Sequence, residues 1–141
     1  MHLNEEARYR LRLAEGFLEE SRQDLTSRRW RSCVDGSQLA AENSAKAVLA
    51  LIGPVGKTHD PAVILRQALK EKRYAEPSVK RVFRLAEIAE QLGRDVHVET
   101  DYGEESRWKT PWELFGEADA GKAFELADEA VRLARWLFNK T

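Results

Sequence analysis

Residues 37 to 49 read Ser37-Gln38-Leu39-Ala40-Ala41-Glu42-Asn43-Ser44-Ala45-Lys46-Ala47-Val48-Leu49. Val34, Ala41, Ala45, Val48 and Ile52 fall on one face of a helix drawn through this stretch. Ser37, Ala40, Ala41, Ser44, Ala45 and Ala47 make it unusually rich in small side chains. Small residues let neighbouring helices approach closely, so this segment is expected to be the central helix of a bundle. Gly53-Pro54 ends it.

Working outward, Ala7, Leu11, Ala14, Leu18, Ser21 and Leu25 recur at alternating spacings of four and three, the stripe of a long first helix ending near Thr26. Tyr9, Leu13 and Phe17 widen the stripe. Asn4 is the expected N-cap, with Glu5 and Glu6 favoured by the helix dipole. Arg28-Arg29-Trp30-Arg31 marks the turn into the central helix, with Trp30 expected to pack beneath it. Asp60 as N-cap and Pro61 at the first helical position predict a short third helix to Lys70, with Ala62, Leu65 and Leu69 inward. Pro77 is expected to open a fourth helix in the same way, with Val79, Val82, Phe83 and Ala86 as its stripe and Gly93 closing it. Arg94 to about Glu117 does not read as a helix; Tyr102, Trp108, Trp112 and Phe115 predict an ordered loop draped over the bundle. From Asp119, Ala120, Ala123, Phe124, Ala127, Ala130, Val131, Ala134, Leu137 and Phe138 draw a last long helix. The expected fold is all-α: residues 1–141 form one domain, an antiparallel up-and-down bundle of four to five helices with one long ordered loop before the last.

The 141 residues include 23 basic and 24 acidic ones, and a net charge of −1 argues against a protein that coats nucleic acid with its whole surface. The longest apolar run, Ala47 to Ile52, is too short for a membrane span. The opening Met1-His2-Leu3-Asn4-Glu5-Glu6 lacks the apolar core of a signal peptide. Cys33 is the single cysteine, so neither an internal disulfide nor a cysteine-based zinc site is expected, and a cytoplasmic location fits. It reads as a small helix-packing residue. Gly53-Pro54-Val55-Gly56-Lys57-Thr58 ends like a phosphate-binding loop, but the first glycine is missing and no strand precedes it.

Three stretches resemble the HEPN family (named for higher eukaryotes, prokaryotes and nucleotide binding). Gln38 to Lys46 is similar to the family's Gln-Ala-Ala-Glu-x-x-x-Lys helix, and Thr58-His59-Asp60 to its Thr-His-Asp. Asp101-Tyr102-Gly103, followed by Pro111 and Asp119-Ala120, is similar to its Arg-Tyr-Pro or Arg-Tyr-Gly triplet. Ribonuclease members use an arginine followed, after four to six residues, by a histidine: an acid–base imidazole beside a cation that steadies phosphate charge. Here positions 52 to 54 are Ile-Gly-Pro ahead of His59, positions 90 to 92 are Glu-Gln-Leu ahead of His97, and Arg94 stands too near His97. The motif is absent. Asp101 also replaces the triplet's arginine, and a carboxylate repels phosphate.

The resemblance implies a small prokaryotic, non-catalytic binding protein. It would be a homodimer that takes a nucleotide or RNA ligand and pairs with a minimal nucleotidyltransferase in a toxin–antitoxin-like system. No cofactor or metal is expected. The candidate nucleotide-binding residues are Lys46, Lys57, His59, Tyr102, Arg107 and Trp108, the cations for phosphate and the rings for a stacked base. Arg28, Arg29 and Arg31 around Trp30 form the densest basic patch. Two alternatives stand beside this reading: an RNA-cleaving toxin using His59, Arg107 and Tyr102, and a structural dimerisation module.

Overall fold

The computed structural model describes residues 2–141, with side chains from residue 4 onward. Met1 and the side chains of His2 and Leu3, which open the acidic first segment, lie outside the described residues. The elements are α1 (His2–Thr26), α2 (Trp30–Ala50), α3 (Pro61–Lys70), α4 (Val79–Gln91), α5 (Arg94–Tyr102), a 3-10 turn (Glu105–Arg107), α6 (Pro111–Leu114) and α7 (Glu117–Asn139). The chain is an all-helical bundle, with no strand among the described residues.

α2 lies at its centre. It packs against α1, α3, α4, α5, α6 and α7, and nearly every residue from Cys33 to Ala50 is buried. The three-residue connection after α1 turns α2 back along it, and Ala7, Leu11, Ala14, Leu18 and Ser21 are all buried beneath. The approach is close at Gly36. A Cβ built there would stand 2.4 Å from Ser21 Oγ and 3.3 Å from the Phe17 carbonyl oxygen. Ala120, Ala123, Ala127, Ala130, Val131, Ala134 and Leu137 of α7 complete the core. Cys33 is fully buried and free.

Helix ends depart from the sequence expectations in three places. Helical backbone already begins at His2, so Asn4 lies inside the first turn of α1 and cannot cap it. Pro61 does occupy the first helical position of α3, but the Asp60 side chain caps nothing; the Asp60 N–H donates to Thr58 Oγ1 at 3.0 Å instead. Pro77 is not a helix opener. The chain turns first, Ser78 N donating to Ala75 O at 2.9 Å, and α4 starts at Val79. The inward face of α4 is Val82, Leu85, Ala86, Ile88 and Ala89, whereas Phe83 points out under the Arg66 guanidinium.

The expected long loop is largely helical. α5, flanked by Gly93 and Gly103, is docked on α2 by the buried Thr100. Its Val96, Val98 and Thr100 alternate like a strand, so packing rather than local preference makes the helix. Backbone bonds hold the next turn closed: Glu104 N donates to Lys109 O at 2.8 Å and Lys109 N to Glu104 O at 3.0 Å. Gly103 adopts φ 71°, and a Cβ there would meet Lys109 O at 2.1 Å. The aromatic rings are therefore not needed as anchors, and Tyr102, Trp108 and Trp112 are 70%, 88% and 73% exposed. A capping box, with Thr110 Oγ1 accepting from Glu113 N and Glu113 Oε1 from Thr110 N, starts α6.

Candidate functional site

Because α2 is enclosed, its polar residues must find partners inside the bundle or at its seams. Arg31, Asp35, Gln38, Glu42 and Lys46 follow one another at spacings of four, three, four and four, one stripe along the helix. The stripe meets α5 and the loop before α3. Glu42 and Lys46 are each only 7% exposed.

At one end, Lys46 Nζ sits 3.1 Å from Glu42 Oε2, and His59 Nδ1 sits 3.7 Å from the same oxygen. Gln38 Nε2 donates to the other oxygen, Oε1, at 3.2 Å. The His59 ring stacks on that of His97 from α5, with centroids 5.9 Å apart and planes 10° from parallel. Ring pairs favour this range of separation. His97 Nδ1 and Gln38 Oε1 are buried without a hydrogen-bond partner among the described residues.

At the other end, Arg31 Nη1 donates to Thr100 O at 2.7 Å and lies 3.8 Å from Asp101 Oδ1. Thr100 Oγ1 donates to His97 O at 2.8 Å, with Asp35 Oδ1 3.3 Å away. Burial, and then the nearby Asp101 carboxylate, push the Asp35 pKa above the ordinary range; Arg31 and Thr100 act against them.

Lys46 and His59 thus meet at Glu42. Lys57 is exposed in the loop before α3. Tyr102 ends α5, and Arg107 and Trp108 follow it at the 3-10 turn, where Arg107 is held by Glu104. Among the described residues, no hydrogen bond, ion pair or ring contact joins this second group to Lys46 or His59. Sequence reading does not single out Glu42, Gln38, Asp35, Thr100 or His97 as site residues. A signal is nevertheless present: a Glu and a Lys four apart on a helix rich in alanine and serine all round have little room to be solvated.

This arrangement can orient an imidazole on a carboxylate. It is poorly built to hold a phosphodiester at the same spot, since carboxylates flank both rings. No group of three or more His, Cys, Asp or Glu able to hold a metal ion occurs among the described residues.

Residues 7–137 match the HEPN domain family. The chain belongs to the HEPN family. That match spans every element from the first turns of α1 to the end of α7. Membership sets the chain among helical domains of nucleotide-binding and ribonuclease-like type. Among solved structures, the chain is similar to the crystal structure of TT1696 from Thermus thermophilus. The TM-score is 0.67 at 18% identity, over 93% of this chain and 97% of that one. At that identity the likeness concerns the HEPN fold alone. No curated protein sequence matches the chain. No helix of this HEPN domain is long and apolar enough, over the described residues, to cross a membrane.

Proposed function

We propose that this HEPN protein binds rather than cuts: a non-catalytic domain for a nucleotide-like ligand, working as a homodimer beside a minimal nucleotidyltransferase in a toxin–antitoxin-like pair. The observation that carries the non-catalytic reading is the company its histidines keep. His59 lies against Glu42 and His97, and His97 lies close to Asp35. A ribonuclease site sets its imidazole beside a cation, because charge accumulates on the phosphate as the bond to the 2′-oxygen forms. Here His59 lies against a carboxylate instead, and Lys46 is held by that same carboxylate. The absent arginine–histidine spacing supports the same reading.

Ligand class and partner rest on the family resemblance. Lys57 is exposed and accessible to a phosphate, whereas Lys46 and Arg107 are committed to Glu42 and Glu104, and His59 lies against Glu42. Calorimetric titration of the full chain with ATP and with GTP tests the ligand class. Saturable binding below about 1 mM is expected for either nucleotide. A flat titration with both would overturn it.

A further inference from the structure

The strongest ligand chemistry on this surface lies away from the histidines, at the corner between α1 and α2. Arg28, Arg29, Arg31, Trp30, Trp112 and Phe115 line a cleft of about 340 Å³, and no carboxylate lines it. We propose that this cleft binds one nucleoside-phosphate unit, with its base on an indole face and its phosphate on the arginines. The proposal rests on the nucleotide-binding reading above and gives it a location.

The three guanidiniums are not equivalent. Arg31 is fixed by its bond to the Thr100 carbonyl and stands 5.8 Å from the Trp112 ring centroid. It steadies the indole without being free to move. Arg29 is turned toward Asp24, with Nε and Nη2 both on Oδ1 at 3.0 and 2.9 Å. Arg28 has no acidic partner among the described residues and lies 5.9 Å from the Trp30 ring centroid. Left-handed backbone at Arg28, φ 61°, holds it at the corner. The corner thus offers Arg28, a cation without an acidic partner among the described residues, beside the Trp30 indole in a cleft that Trp112 also lines.

Guanidinium forks match phosphate oxygens in pairs, and indole faces stack on any base. An acidic peptide would satisfy the arginines but leave the flat faces unused. The volume stands at the small end of ligand pockets, which suits one nucleotide unit rather than a folded partner. Two sources share this chemistry: a free nucleotide and one residue of a single-stranded RNA.

Isothermal titration of the full chain with ATP, inorganic phosphate and a short single-stranded RNA tests it. Trp112→Ala and Arg28→Glu should each weaken binding by about tenfold or more. Tighter binding of ATP than of RNA identifies the free nucleotide as the source, and the reverse order identifies the strand. Both side chains are exposed, so thermal melts matching the parent will show that the variants fold. Binding that survives both substitutions but is lost in His59→Ala overturns the location and leaves the nucleotide-binding reading standing. Phosphate bound as tightly as ATP, with Trp112→Ala silent, overturns the base-stacking part. No binding of any probe to the parent chain overturns location and reading together.

Discussion

The carboxylate of Glu42 lies 3.1 Å from the ammonium of Lys46, one helical turn further along α2, and both residues are almost fully buried. A pair spaced this way is ordinarily a solvated decoration worth a few tenths of a kcal/mol. Inside a bundle its weight changes, because neither charge can return to water when the other is removed.

Lys46→Met should therefore destabilise the protein by about 3 kcal/mol or more, since Glu42 is left buried with only Gln38 and His59 beside it. Adding Glu42→Gln removes the stranded charge and should recover most of that loss. Urea denaturation of the parent, the single and the double variant checks this. A single variant as stable as the parent would show that the pair is solvated.

Gly36→Ala should cost about 1–3 kcal/mol, because the new methyl meets Ser21 Oγ at 2.4 Å where α2 packs on α1. Pairing it with Ser21→Gly removes the nearest obstacle and should give part of that cost back. Thermal melts of the two single variants and the double variant measure the coupling. Strict additivity would contradict the close approach.

Two arginine–carboxylate forks join outer helices: Arg66 with Glu90 between α3 and α4, and Arg84 with Glu129 between α4 and α7. Hydrogen bonds from the arginines hold both carboxyls below their ordinary value of 4.5. A lowered native pKa means that the stabilisation is present above the unfolded value and is lost as the pH falls through the native one. Glu129→Gln should cost no more than about 1 kcal/mol near neutrality, the groups being partly exposed, and nothing once both forms are protonated. Denaturation across the acid range should show the two curves converging as the pH falls.

Tyr74 donates its hydroxyl to the Val48 carbonyl at 2.7 Å, close to the end of α2. Burial raises its phenol pKa well above the ordinary value of 10. A raised native pKa gives stability below the unfolded value, lost as the pH rises through the native one. Tyr74→Phe should lower stability by about 1 kcal/mol at neutral pH through the lost hydrogen bond, the Val48 carbonyl keeping only the Leu51 N–H at 3.2 Å, with urea denaturation as the readout.

What can be read from sequence follows the length and regularity of each stripe. α1, α2 and α7 carry apolar residues at helical spacing over five or more turns, and their burial follows it except at Tyr9, which is exposed. α5 escapes such a reading because Val96, Val98 and Thr100 alternate like a strand, and only docking on α2 makes the segment helical. The exposed tryptophans look like anchors in the sequence because large rings are usually covered; paired backbone bonds between Glu104 and Lys109 close the turn without them. Lys46 and His59 both stand among the candidate residues read from the sequence. Their meeting point, Glu42, is harder to read, because an i, i+4 pair by itself looks the same whether it faces solvent or core, and only the small residues on every side of α2 mark it as enclosed.

The central claim, a HEPN domain that holds its ligand without cleaving it, is tested most directly by incubating the full chain with labelled single-stranded RNA and resolving the products by length. The account predicts RNA recovered intact, with the parent and His59→Ala indistinguishable. Fragments produced by the parent and missing from His59→Ala would contradict it.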